Sequence, residues 1–434
     1  MTTSHTRANA WLGRVLQERT IEELAASLRS KTDTPPAPCL PRDLRTTPQI
    51  VKRRWALLRE HLGTTQSWAD STIETLRTTL LDPSSEAGMA QWQRNIENFI
   101  GTVKLPVGLA GPLRVNGLFA QGDYYLPLAT TEAALVASYS RGAQLISQAG
   151  GATTLLLNEG VSRAPGFAFA DLREAGAFVA WALPRLDDFR REAERTTAHG
   201  KLVDMQVTVE GNHVYLRFDF HTGDAAGQNM VTLATAAICD YIERHSPVRP
   251  AHWFIEANLS GDKKASAQSF LSVRGKKVTA EVRLPAALVE KMLHTTPARM
   301  VDYWRMSAMG GVLSGTIGVQ GHYANGLAAL YIACGQDAAC VSESAVGVTR
   351  FELDPDGGLY AAVTLPNLIV GTIGGGTGLP SQRACLELMG LAGSGHARAF
   401  AEVTAALLLG GELSIIGALC AGHFARAHQT LARG

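Results

Sequence analysis

The run from about Val403 to Ala421 most constrains what this 434-residue chain can fold into, because it is long and apolar yet carries Glu412 at its middle. A charge there would be expensive in hydrocarbon, so the run reads as a Gly-rich helix buried inside a large domain rather than as a membrane span. Burying such a helix requires a sizeable core, and 46% hydrophobic residues can build one. Glycine usage then divides the chain, with 3 glycines in residues 1–100 against 23 in residues 301–434. Two kinds of structure are expected. The first hundred residues read as polar-faced helices, Ile21–Leu28 and Val51–Leu62, around a Pro-rich linker at Thr34-Pro35-Pro36-Ala37-Pro38.

From Glu97 the texture changes to short apolar runs broken by Gly and Pro, followed by an Ala-rich helical segment from Thr131 to Gln148. Its small residues suit close packing on several sides. Between about Gly166 and Phe254 the order reads helix, strand, strand, helix. The alternating runs 202–209 and 213–220 around Gly211-Asn212 form a hairpin. A glycine turn, Thr222-Gly223-Asp224, then leads into a helix ending near Arg244. Such a turn either caps a helix or offers backbone N–H groups to a phosphate, and the local sequence leaves both open.

Forty Lys+Arg against 39 Asp+Glu give a net charge of +1, which supplies no field for nucleic acid or an anionic membrane. The six cysteines lie apart without a C-x-x-C pair, which indicates neither a zinc site nor a disulfide framework and fits a reducing cytoplasm. The opening Met-Thr-Thr-Ser-His-Thr-Arg has no apolar run behind it, so no secretory signal is expected. Neither G-x-G-x-x-G after a strand nor a P-loop occurs, and Gly374-Gly375-Gly376-Thr377-Gly378 reads as a close-packed loop before a helix. Four polar residues sit in small-residue or glycine-flanked settings: Glu132, Lys263, Asp337 and His428. Each alone is as well explained by a cap, a surface charge or a buried pair. Together, two carboxylates, an ammonium and an imidazole are what proton transfer around a polarised carbonyl requires.

Longer motifs surround these residues. They are Glu97-Asn98-Phe99-Ile100-Gly101, Pro106-Val107-Gly108-Leu109-Ala110-Gly111-Pro112, Ala129-Thr130-Thr131-Glu132, Gly223-Asp224-Ala225, Asp262-Lys263-Lys264, Tyr331-Ile332-Ala333-Cys334-Gly335-Gln336-Asp337-Ala338-Ala339 and Gly371-Thr372-Ile373-Gly374-Gly375-Gly376-Thr377. In this order they resemble the catalytic portion of the 3-hydroxy-3-methylglutaryl-CoA reductases, the eukaryote-like class, over roughly residues 95–434. The likeness does not extend into residues 1–90, and no membrane anchor is expected.

The resemblance implies an α/β (α+β) fold. A large domain (96–164 and 256–434) surrounds a long central helix, a ferredoxin-like coenzyme domain (165–255) is inserted in it, and residues 1–95 form a helical lead-in. It implies reduction of 3-hydroxy-3-methylglutaryl-CoA to mevalonate and CoA by two hydrides from NADPH, with NADH as the other option, through a hemithioacetal and an aldehyde, without a metal. It also implies a homodimer or homotetramer with shared active sites. By the same resemblance Lys263 stabilises the oxyanion, Glu132 supplies a proton, and Asp337 ties the two into one network. His428 protonates the departing thiolate, a task suited to a group of ordinary pKa about 6.5. Arg163 grips the acyl part and Asn325 lies in the site. Ser138 and Arg141 match positions at the CoA phosphates, Asp262 and Lys264 flank the lysine, and Asp224, Ala225, Gly227, Gln228 and Asn229 match the coenzyme loop.

The chain departs from the family pattern in places. Glu256 stands where a substrate-binding serine is expected, and Arg305-Met306 where a Lys-Asn pair is expected. The coenzyme loop has lost both methionines, and Ala427 replaces the serine before His428. The arginine expected for the 2′-phosphate falls near Thr197-Ala198, leaving His199, Lys201 and Arg433 as candidates. A reductase of another branched acyl thioester, or an inactive nucleotide-binding homologue, is the alternative these departures allow.

Overall fold

The computed structural model describes residues 20–30, 37–40 and 45–423. The start of the Pro-rich linker and the tail carrying Ala427, His428 and Arg433 lie outside those residues. The chain divides into two compact units, the first ending at Val103 and the second beginning at Lys104.

The first unit is helical. Ile21–Leu28 opens with a capping box in which Thr20 and Glu23 exchange hydrogen bonds. Pro48–Thr65 begins after Thr47, whose hydroxyl accepts the Ile50 N–H. Val51, Trp55, Leu81, Met89 and Phe99 form its core. Arg54 is fully buried there and donates to the Phe99 carbonyl at 3.0 Å.

In the second unit β1 (Val107–Gly117) and β2 (Gln121–Ala129) form a hairpin, and β3 (Ala152–Arg163) joins β1 in parallel. A short strand β4 (Gly166–Ala168) follows. Then come β5 (Lys201–Glu210) and β6 (His213–His221), paired around the Gly211-Asn212 turn as the alternation requires, and β7 (His252–Phe254). The remaining strands are β8 (Gly275–Leu284), β9 (Gly318–Val319), β10 (Gly347–Leu353) and β11 (Leu359–Leu368). Along the sheet the order runs β7-β4-β6-β3-β8-β11-β10-β9. Strand β3 serves two neighbourhoods: Thr153–Gly160 pairs with β8, and Val161–Arg163 pairs with β6. Arg163 therefore sits where the two parts of the sheet meet.

Two hydrophobic cores accompany this division. Val161, Phe167, Phe178, Phe189, Phe218, Ile238 and neighbours form one, between β4–β6 and the helices Leu172–Ala182, Leu186–Glu194 and Gln228–His245. The other surrounds helix Ala397–Cys420, which is buried along nearly its whole length although it is long and apolar enough to cross a bilayer. Helix Leu135–Gln148 lies against it so closely that a Cβ on Gly142 would stand 1.8 Å from the Gly410 carbonyl oxygen. Small residues are required there because backbone meets backbone.

Glu412 explains the charge in the middle of the apolar run. Its carboxylate accepts the N–H groups of Gly321 (2.7 Å) and His322 (2.8 Å) and the Thr349 hydroxyl (2.7 Å). Thr349 also bonds the buried Tyr323 hydroxyl at 2.7 Å. The central helix thereby fixes the loop that starts helix Tyr323–Ala333.

Candidate active site

Lys263 and Asp337 meet on two loops, with Nζ 2.8 Å from Oδ2 and both side chains part-exposed. The Asp337 hydrogen bond holds the Lys263 pKa above its ordinary value and outweighs the opposing effect of burial. Asp337 is fixed by a turn: its Oδ1 accepts the Ala339 N–H at 3.0 Å, and the preceding Gly335 has φ +68. A Cβ on Gly335 would lie 2.3 Å from the Gly376 carbonyl, while Gln336 accepts the Gly371 N–H at 2.8 Å. The two glycine motifs are therefore one packed unit, as a close-packed loop requires.

Glu132 lies elsewhere. The chain turns before the helix that follows it, with the Glu132 N–H on Thr130 Oγ1 at 3.0 Å and Ala134 at φ +68, so the helix starts at Leu135 rather than Thr131. Its carboxylate accepts Asn325 Nδ2 at 3.2 and 3.3 Å. Asn325 is in the first turn of helix Tyr323–Ala333, and Asp337 lies four residues beyond its last. The two pairs thus anchor at opposite ends of one helix, and among the described residues no hydrogen bond joins Glu132 to Lys263 or Asp337. His428 lies outside the described residues.

Arg163 is nearly buried and already engaged, with Nη1 2.9 Å from Asp262 Oδ2 and 3.2 Å from Glu256 Oε2. Glu256, the residue in place of the expected serine, also accepts Ser260 Oγ at 2.8 Å. Burial pushes the Asp262 carboxyl up, but Arg274 and Arg163 outweigh it and hold the pKa below the ordinary value. Ser138 and Arg141 converge on Ser414 of the central helix: Ser138 Oγ is 3.0 Å from Ser414 Oγ, and Arg141 reaches the same hydroxyl and the Ser414 carbonyl. Lys264 is exposed beside the lysine loop, and Arg305 is exposed 3.3 Å from Asp302.

The glycine turn resolves into two functions. Asp224 accepts the N–H groups of Gly395 (2.7 Å) and Ala397 (3.1 Å) and the Ser394 hydroxyl, so it caps the N-terminus of the central helix. Burial works against this carboxylate, yet those donors lower its pKa. Ala225 and Ala226 run alongside Gly371 and Ile373. Gly227, at φ +78, precedes helix Gln228–His245 without a side-chain cap, and a Cβ there would lie 2.3 Å from Thr222. Among the described residues no side chain caps the first-turn N–H groups of that helix, which suits a phosphate, and Asn229 is exposed beside them. Lys201 is 3.1 Å from Glu194.

Sequence reasoning did not find Arg274 and Glu343. Both are buried and lie among the candidate residues, yet neither stands in a motif that suggests chemistry. Only their burial together, 69 positions apart, makes them visible.

The hydroxymethylglutaryl-coenzyme A reductase family matches residues 51–433. The match begins well before residue 95, so part of the helical lead-in also belongs to the family region, a correction to the extent read from the motifs. The 3-hydroxy-3-methylglutaryl-coenzyme A reductase of Pyrococcus horikoshii is 44% identical over 362 residues, covering 81% of this chain and 86% of that protein. That of Methanothermobacter thermautotrophicus is 45% identical over 345 residues, covering 79% and 86%. Among solved structures, the class II 3-hydroxy-3-methylglutaryl-CoA reductase from Streptococcus pneumoniae bound to NADPH superposes with TM-score 0.62 at 21% identity, covering 83% of this chain and 99% of that one, a likeness of fold. The chain is thus an oxidoreductase of the class that acts on coenzyme A thioesters. It belongs to the hydroxymethylglutaryl-coenzyme A reductase family.

Proposed function

We propose that the chain reduces 3-hydroxy-3-methylglutaryl-CoA to mevalonate and free CoA, with two NADPH and two protons consumed per thioester. The observation that carries this reading is the Lys263–Asp337 pair, an ammonium kept protonated at a fixed place on a glycine-packed loop. A carbonyl carbon that receives hydride leaves negative charge on its oxygen, and a fixed ammonium within hydrogen-bond reach stabilises that charge. In the first reduction the C–S bond then breaks, and the departing thiolate takes a proton, for which His428 is the proposed donor. In the second, the aldehyde becomes the alcohol, with Glu132 the proposed proton source. NADPH, when bound, supplies the hydrides. Its phosphates fit the uncapped start of helix Gln228–His245 in the 165–255 segment, with Arg433 and Lys201 proposed for the 2′-phosphate. Ser138, Arg141 and Lys264 are proposed for the CoA moiety, and Arg163, Asp262 and Asn325 for the acyl end.

The separation of Glu132 from Lys263 favours a homodimer or homotetramer in which one copy completes the site of another. Met306, Met309, Val312 and Leu313, all exposed on helix Pro297–Ser314, offer an apolar face for such contact. A cytoplasmic location fits the six free cysteines.

Assay of the purified protein with 3-hydroxy-3-methylglutaryl-CoA and NADPH tests the reading. Lys263→Ala should slow turnover about a hundredfold or more, as losing an oxyanion donor does. Near-wild-type turnover of that variant would sink the assignment. Mixing inactive Glu132→Gln and Lys263→Ala proteins should restore part of the activity, and no recovery after subunit exchange would rule out a shared site.

A further inference from the structure

Beneath the lysine loop lies a buried chain of alternating charges that extends from Glu256 through Arg163, Asp262 and Arg274 to Glu343. Its main branch point is Arg274, which is 1% exposed and immediately precedes β8. One arm of its guanidinium donates to Glu343. The other donates to Asp262 Oδ1 at 2.8 Å and to Gln228 Oε1 at 2.5 Å. Glu343 has no exposure, and its second oxygen accepts the backbone N–H of Lys263 at 3.1 Å. The next residue back, Ser342, donates its hydroxyl to the Lys263 carbonyl at 2.7 Å.

Lys263 needs this support, because its φ of +57 is a left-handed conformation that a side chain disfavours and that persists only where surroundings enforce it. Asp262, the preceding residue, is held from below by Arg274 and Arg163 together. Gln228 is the first residue of helix Gln228–His245, so the same guanidinium touches the end of the helix whose N–H groups suit the coenzyme.

We propose that Arg274 is a positioning residue for the reduction: by gripping Asp262, Glu343 and Gln228 at once, it holds the Lys263 backbone at the angle that aims the ammonium, and it couples that aim to the coenzyme helix. The inference rests on Lys263 being the oxyanion cation. Arg274 itself touches no reacting atom. A planar fork reaches these acceptors from two separated nitrogens in fixed geometry, whereas an ammonium presents all its donors from one point.

The test is Arg274→Lys, which keeps a cation against Glu343 while losing the fork. The expected result is a fall in kcat of about tenfold or more, since small misplacement of a catalytic group carries losses of that order. KM for thioester and coenzyme should rise by a smaller factor than kcat falls, because Asp262 and Gln228 each lose a partner while the aim of the lysine matters mainly in the transition state. Glu343→Gln, which keeps an oxygen for the Lys263 N–H but removes the charge that Arg274 grips, carries the same expectation should the lysine variant not accumulate folded. The decisive measurement is a cycle in the Lys263→Ala background, where Arg274→Lys should cost nothing further because the group it aims is gone. A general structural lesion would instead lower the residual rate again by its own factor, and that result overturns the proposal. So does a kcat for Arg274→Lys within about twofold of wild type, since a fork that aims the lysine cannot be lost without cost. Failure of the underlying reading appears separately, as a Lys263→Ala single variant that turns over normally.

Discussion

Replacing Glu412 with alanine removes the acceptor for three donors inside the central helix bundle: the N–H groups of Gly321 and His322 and the Thr349 hydroxyl. Glu412 is fully buried and Thr349 nearly so, whereas His322 is half-buried and Gly321 exposed. The buried Thr349 hydroxyl left without its acceptor costs about 1–3 kcal/mol and truncating a fully buried side chain about 2–5 kcal/mol, so the change costs roughly 3–8 kcal/mol. A domain's whole stability is about 5–15 kcal/mol. Glu412→Ala should therefore express mainly as insoluble or unfolded protein. Glu412→Gln keeps one oxygen but turns an NH2 towards at least one donor, and it should fall between alanine and wild type. The assay is soluble yield together with the thermal unfolding midpoint at one scan rate. An alanine variant that unfolds within about 2 °C of wild type, a shift worth about 2 kcal/mol or less for a protein this large, would refute the reasoning. Because the same carboxylate fixes the loop before Asn325, the glutamine variant should also lose activity through a displaced Glu132–Asn325 pair.

Gly142→Ala should destabilise the fold by about 3 kcal/mol, since its Cβ meets a backbone oxygen that cannot rotate away; a wild-type unfolding midpoint would count against that contact. Asp219 is pushed up to about 6, first by burial and then by Asp204, against the pull of Arg217. The folded state therefore holds this proton more tightly than the unfolded chain, so the contribution is full below about pH 4 and fades as pH rises through about 6. Asp219→Asn should remove that slope, and a variant whose stability declines with pH exactly as wild type does would exclude Asp219 as its source. Glu256→Ser releases Arg163 from one of its two carboxylates and should lower KM for 3-hydroxy-3-methylglutaryl-CoA by about tenfold, roughly 1.4 kcal/mol. An unaltered KM would show that Arg163 does not face the acyl group.

Much of the fold was legible because its signals are local. The β5–β6 hairpin followed from alternation around Gly211-Asn212, and the buried central helix followed from one charge in an apolar run. The Lys263–Asp337 contact was anticipated by family likeness, although nothing in either loop alone indicates the other. What stayed hidden depends on distant partners. Asp224 resembled a ligand of the coenzyme, yet it caps a helix that starts more than 170 residues later. Arg163 resembled a free anion binder, yet two carboxylates supplied from the 256–262 segment occupy it. Among the described residues no hydrogen bond joins Glu132 to Lys263 or Asp337, whose anchors, Asn325 and the turn at Asp337, lie at opposite ends of one helix.

The backbone contact between Gly142 and Gly410 limits which parts of this protein can move. Where helices meet through side chains, a rotamer change can absorb a shift of an ångström or so, and the pair can slide. At this contact no side chain stands between them, so helices Leu135–Gln148 and Ala397–Cys420 have no rotamer there to absorb a shift and resist sliding. Ser138, Arg141 and Ser414 ride on that pair of helices. Any opening that admits a long coenzyme and a long thioester must then be taken up elsewhere in the chain.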